Sequence, residues 1–173
     1  MWNELKLMGT LAPQPYVIRT GVPSDASQLA EHWGSGLSAN QTRVIHRYFG
    51  DMDHGDQYSI VAVIDSRIIG QIWVRLNQMD PNIADAETDC YLHTLFVLEE
   101  YRRQGVGKEL VDMACEYGKL VGRTSAIIGV DRPNDYAKDL YEKWGFEQFS
   151  EICDLRGDLI LLRRLVAAIP SNV

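Results

Sequence analysis

Cysteine is scarce. Three residues, Cys90, Cys115 and Cys153, are scattered over a chain of 173. An odd, widely spaced set with no C-x-x-C pair argues against a disulfide framework or a zinc site, and it is the usage expected of reduced thiols in a cytoplasm. Long apolar runs are also missing. Nothing approaches the ~18 consecutive apolar residues of a membrane span, and Met1 to Pro15 lacks the basic-then-apolar layout of a secretory signal. Basic residues are in deficit, 17 against 24 acidic ones, for a formal net charge of −7. With no basic stripe outside one short turn, nucleic acid is not an expected partner, and a cationic or amine-bearing one is favoured. The carboxylate-dense stretch Asp51 to Asp56 lacks the ligand register of a calcium loop and reads as a solvated loop, so no metal is expected.

The remaining composition, 46% apolar and 24% charged, is that of one ordinary globular domain. Its expected extent is residues 16–166, between an N-terminal extension (1–15) and a C-terminal tail (167–173). The extension leaves three options open: an added strand, a contact within a homodimer, or a loose tail. Strands are expected at Tyr16 to Thr20, Tyr58 to Ile64, Ile68 to Leu76, Asp89 to Val97, Thr124 to Val130, Glu147 to Cys153 and Asp158 to Val166. Helices are expected at Ala26 to Trp33, about Gln41 to Phe49, about 105 to 121, and from Asn134 to near Gly145, with Gly34-Ser35-Gly36 breaking the first. Gly70 is a candidate bulge, and residues 77–87 read as a loop.

One stretch organises the rest. The apolar strand ending Leu95-Phe96-Val97 runs into a basic, glycine-punctuated turn, Arg102-Arg103-Gln104-Gly105-Val106-Gly107-Lys108, that opens directly into an amphipathic helix. The first amides of a helix lack internal partners and carry the positive end of its dipole, so this is the layout of an anion site. Glycines at 105 and 107 remove side chains that would keep a phosphate away, while Arg102, Arg103 and Lys108 add charge.

Arg102-Arg103-Gln104-Gly105-Val106-Gly107 resembles the [QR]-x-x-G-x-[GA] pyrophosphate motif of the GNAT superfamily of N-acyltransferases. About thirty residues later, Asn134 to Phe146 resembles that superfamily's N-x-x-A-x-x-L-Y-x-x-x-G-F motif. The resemblance implies an α/β (α+β) fold, a mixed and mostly antiparallel sheet of about seven strands flanked by helices, and acetyl-CoA as co-substrate. It further implies that the backbone at Leu95, Phe96 and Val97 pairs with the pantetheine arm, that Arg102 to Lys108 hold the diphosphate, that Asn134 bonds the arm, and that Tyr141 protonates the departing thiolate. Asn134 equally suits a plain helix cap.

The acceptor amine needs to lose a proton, and His93 titrates in the useful range. Tyr91-Leu92-His93-Thr94-Leu95-Phe96-Val97 resembles the H-x-H-x-L-x-V strand of arylalkylamine N-acetyltransferases, with Tyr91 replacing the first histidine. Asp89, Glu87 and a backbone-held water are rivals for this role. The reading is an enzyme moving an acetyl group from acetyl-CoA directly to a primary amine of a small molecule. Its alternatives are a protein N-terminus or lysine as acceptor, or a binding module without turnover.

Overall fold

The computed structural model describes residues 7–9, 15–32, 39–154 and 157–166. The chain runs β1 (Leu7–Gly9), β2 (Tyr16–Thr20), α1 (Ala26–His32), α2 (Ala39–Asp53), β3 (Gln57–Ile64), β4 (Arg67–Arg75), β5 (Asp89–Val97), α3 (Val106–Leu120), β6 (Ser125–Asp131), α4 (Asp135–Lys143), β7 (Glu147–Asp154) and β8 (Gly157–Leu165). Among the described residues these strands form one sheet, in the order β1-β2-β3-β4-β5-β6-β8-β7. β5 and β6 pair in parallel and the other neighbours antiparallel. A crossover through a helix is what parallel neighbours require, and α3 supplies it.

The seven strands expected over 16–166 are present, and β1 adds an eighth at the sheet edge, Leu7 opposite Ile18 and Gly9 opposite Tyr16. Residues 1–6 and 10–14, the tail 167–173 and the expected break at Gly34-Ser35-Gly36 lie outside the described residues. Among the described residues, no helix is long and apolar enough to cross a membrane.

Each sheet face has its own helices. Leu110, Val111 and Ala114 recur at helical spacing on α3, and they pack with Ile72, Leu92 and Ile128 in the larger core. On the opposite face Leu29 of α1 and Ile45 and Phe49 of α2 cover Val61, Ile68 and Trp73. That face carries a second cover: Ile83 and Ala84, from the segment between β4 and β5, sit on Ile127 and Leu161. Arg123 pins this segment by donating to the Glu87 carbonyl at 2.8 Å and the Leu76 carbonyl at 3.1 Å.

Two boundaries differ from expectation, each for a local reason. α2 runs on through Asp53, so Asp51 and Asp53 belong to a helix rather than a loop. Gly55 stops it in the left-handed region (φ 75°), and the Asp56 amide reaches back to the Asp51 carbonyl at 3.0 Å, the bond pattern that closes helices at a glycine. The β3–β4 hairpin turns on two residues rather than three, Asp65 and Ser66, with φ of 46° and 71°, the primed turn geometry that matches strand twist.

The bulge expected at Gly70 lies beside it: the register passes from Ala62 opposite Gly70 to Val63 opposite Ile68. A side chain at Gly70 would meet Leu110 Cδ1 at 3.0 Å and the Phe96 carbonyl at 3.1 Å, so α3 rests directly on β4 there. Gly118 is tighter still, since an added Cβ would stand 2.6 Å from Cys90 Sγ. Overpacking of this kind exceeds the ~1 kcal/mol that alanine brings a helix. Gly118→Ala should therefore destabilise the fold by about 1–2 kcal/mol in urea unfolding, and adding Cys90→Ala should restore most of the loss.

Candidate functional site

β5 and β6 stay paired only from Asp89 opposite Ser125 to Leu92 opposite Ile128. Beyond that point β5 turns away. Against β4 its register passes from Trp73 opposite His93 to Gln71 opposite Phe96, one residue too many on β5, and Thr94 takes a φ of 53°. Left-handed backbone in a β-branched residue is strained, and a bulge is where a strand accommodates it while changing direction. The edge of β5 after Leu92 therefore faces a gap.

The gap opens into a cavity of about 670 Å³. Leu95, Phe96 and Val97 line it from β5, Arg102, Arg103, Gly105, Gly107 and Lys108 from the turn and α3, and Asn134 and Tyr141 from α4 and its cap. These residues come from three separate stretches of sequence, and the fold brings them to one place. Gln104 and Val106 do not contribute side chains to the wall. Gln104 donates to the Glu100 carbonyl at 2.8 Å, bracing the turn, and Val106 is buried in the core.

The turn is built for exposed amides. Gly105 caps α3 with φ 90°, where a Cβ would be strained, and the first main-chain bond of the helix runs from the Glu109 amide to the Gly105 carbonyl at 3.0 Å. The amides of Val106, Gly107 and Lys108 precede it and have no acceptor within the helix. Arg102 fixes the turn from below, Nε donating to the Val97 carbonyl at 2.9 Å. Lys108 pairs with Asp112 at 2.5 Å, and Asp112 also receives Arg164 at 2.6 Å. A Cβ at Gly107 would stand 3.4 Å from Trp144 Cη2 and 3.6 Å from Val97, ordinary contact distances, so the indole of α4 lies directly over this glycine.

On α4, Asn134 Oδ1 accepts the Ala137 amide at 3.0 Å, so the helix cap is real, and the residue lines the cavity as well. The G-F end of the motif closes the helix: Gly145 has φ 87°, the Phe146 amide reaches the Tyr141 carbonyl at 3.0 Å, and Phe146 is buried. Tyr141 is thereby held with its ring edge-on to Trp144 at 5.5 Å and to Phe146 at 5.8 Å. Burial, with a smaller contribution from Tyr91, pushes its phenol up to about 12. It stays protonated at any physiological pH.

His93 lies on the other face. Its ring is edge-on to Tyr48 of α2 at 5.5 Å and stacked on Tyr91 at 5.7 Å, with Nδ1 3.0 Å from Thr94 Oγ1. Burial, aided by the Arg75 charge, lowers its pKa from 6.5 to about 3, and Nε2 is buried without a hydrogen-bond partner. The imidazole is therefore neutral above pH 3. His93 and Tyr91 lie on this face between the cover made by α2 and the cover made by the Ile83 segment.

Tyr91 is a residue that sequence reasoning passed over. A Cβ on Gly129 would come within 3.1 Å of its hydroxyl, so the side chain leans across the gap onto β6, where its phenol acts on Tyr141. Its sequence signals were its place at the first histidine of the H-x-H strand and its two-residue offset from His93, which puts both on one face of a strand.

The rival bases are remote. Asp89 is buried at the far end of β5, accepting the Asp85 amide at 2.9 Å and the Ser125 hydroxyl. About 20 Å of strand separates it from Leu95. Glu87 is exposed beyond it. Burial pushes the thiols of Cys90 and Cys115 each up to about 12, so neither is a thiolate nucleophile. Among the described residues no cluster of His, Cys, Asp or Glu is placed to hold a metal ion.

Comparison with known proteins agrees with this geometry. The model of the Acetyltransferase (GNAT) family matches residues 27–146. The chain is 26% identical over 140 residues to an N-alpha-acetyltransferase of Sulfurisphaera tokodaii, covering 77% of this chain and 81% of that one. It is 24% identical over 116 residues to N-alpha-acetyltransferase 30 of Schizosaccharomyces pombe, covering 67% and 73%. The solved GNAT domain of S. lividans PAT shares the fold, with a TM-score of 0.72 at 16% identity over 92% of this chain and 96% of that one. With the family model spanning well over half of the chain and the cavity assembled from the same two motifs, the protein belongs to the GNAT acetyltransferase family and is an acyltransferase.

Proposed function

We propose that the protein transfers the acetyl group of acetyl-CoA to the α-amino group of a polypeptide N-terminus, rather than to the small-molecule amine first read from the sequence. The observation that carries this reading is the neutral, weakly basic His93. With a pKa near 3, the imidazole is a poor acceptor for a proton from an alkylammonium of pKa near 10. Such an amine is neutral in fewer than about one molecule in a thousand at pH 7, whereas an α-amine with pKa near 8 is neutral in about one in ten. The polypeptide N-terminus therefore needs less help from a base than an alkylamine does. Two relatives bear the name N-alpha-acetyltransferase, which supports the same acceptor.

The residues fit acetyl-CoA. The amides of Val106 to Lys108, with Arg102, Arg103 and Lys108, suit its diphosphate, and the unpaired edge of Leu95 to Val97 suits the amide groups of its pantetheine. The acceptor nitrogen approaches from the His93 face and attacks the thioester carbonyl; the C–N bond forms and the C–S bond breaks. Tyr141 gives its phenolic proton to the leaving sulfur, and the proton lost by the nitrogen returns to the phenolate, so that the products are an amide and a thiol. Tyr91 stands between the two tyrosyl and imidazole faces and orients this exchange.

The pH profile tests the reading. For a peptide acceptor, kcat/KM should climb about tenfold per pH unit below the α-amine pKa near 8 and stay level above it. His93→Gln should leave the bend where it is. At pH 7 alkylamines should react at least 100-fold more slowly than peptides. Equal rates with alkylamines would defeat the polypeptide reading, and a bend below pH 7 that disappears in His93→Gln would return the role of base to the imidazole.

A further inference from the structure

The chain is acidic as a whole, with a net charge of −7. The exposed face of α2 beside His93 is not. α2 exposes Arg43, His46 and Arg47, spaced to share one helix face, and Arg75 at the end of β4 comes up beside them. Arg47 Cζ lies 5.6 Å from the centre of the Tyr48 ring and Arg75 Cζ 5.7 Å from the same ring. Tyr48 is itself held edge-on to Trp73 at 5.2 Å and touches His93 at 5.5 Å. The two guanidiniums therefore lie against one held aromatic ring, directly beside His93.

Their counter-charge is incomplete. Arg75 donates to Gln57 Oε1 at 2.7 Å and lies 3.7 Å from the Asp51 carboxylate. Among the described residues Asp51 is the one carboxylate in an ion pair with either guanidinium, leaving two cations to one anion. A guanidinium stacked on a ring keeps its in-plane N–H groups available, and their fork matches a carboxylate. The excess of one charge is too small a field for a nucleic-acid backbone, which needs a stripe. It suits a single acidic side chain.

We propose that the acceptor polypeptide carries a side-chain carboxylate within its first three residues, received by Arg47 on the Tyr48 platform, with Arg75 beside it adding to the positive field. The inference rests on the polypeptide reading given above. Distance supports it: an extended chain advances about 3.3 Å per residue, so two or three residues past an amine at His93 cover the steps of 5.5 Å to Tyr48 and 5.6 Å to Arg47. Asp51 would keep its place on Arg75, and the incoming carboxylate would bind the exposed side of Arg47.

The experiment compares kcat/KM for peptides that differ only in Asp, Asn or Lys at position two or three, using wild type, Arg47→Gln and Arg47→Glu. Thermal unfolding of each variant serves as the control for folding. Wild type should favour Asp over Asn by about tenfold at one of the two positions, less at high salt, as a partly exposed charge pair predicts. The preference should fall to within twofold in Arg47→Gln and turn toward Lys in Arg47→Glu. Equal rates with Asp and Asn in wild type, or a preference that survives Arg47→Gln, overturn the inference. If no peptide is acetylated while small amines are, the polypeptide reading itself falls and takes this inference with it.

Discussion

Tyr141→Phe should lower kcat by 10²–10³-fold, about 3–4 kcal/mol, while acetyl-CoA affinity changes by less than about threefold. The ring does the packing: its edge contacts with Trp144 and Phe146 and its buried position survive loss of the hydroxyl. The hydroxyl has a different task. With its pKa raised to about 12, Tyr141 enters the reaction as the neutral phenol, and on the proposed reading it lies in the cavity where the sulfur would depart. A group whose benefit appears only as charge develops on sulfur affects turnover and not binding. Steady-state thiol release and calorimetric titration of CoA separate the two. A variant with unchanged kcat would remove Tyr141 from the chemistry, and one that lost affinity in proportion would make it a binding residue.

Trp73→Ala should cost about 3–5 kcal/mol of stability, a large part of what a domain of this size possesses. Trp73 is fully buried, and Tyr48 and Phe49 of α2 each present an edge to it at 5.2 Å. It is thus the residue that seats α2, and with it Tyr48, on the sheet. Its indole Nε1 is buried without a partner. Trp73→Phe loses volume but also removes that unpaired donor, so it should cost no more than about half as much. Urea unfolding of the two variants checks both numbers. Equal losses would mean that the N–H is satisfied in solution.

The turn and helix ends that line the cavity could be read from the sequence because their determinants are local. Gly105 caps a helix, Asn134 caps another and Gly145 closes it, and each works within a few residues of itself. A linear motif can record such arrangements. The surroundings of His93 are assembled from distant segments. The depressed pKa of His93 depends on burial under Tyr48, forty-five positions earlier, and on the charge of Arg75 from the neighbouring strand. Tyr91 gained its importance only when the gap let it lean onto Gly129. The bulge at Thr94 had no glycine to announce it, unlike the one beside Gly70. Periodicity located the strands well, and it carried no information on where two of them separate.

That separation has a mechanical consequence. β1 to β5 and β6 to β8 behave as two plates joined along a weld only four residue pairs long, Asp89–Leu92 with Ser125–Ile128, with α3 clamping one side. On the proposed reading, the arm of acetyl-CoA lies along the rest of the joint and supplies the cross-links the main chain leaves unmade. The donor would then serve as mortar as well as reagent, and each turnover would loosen and re-set the molecule's own seam.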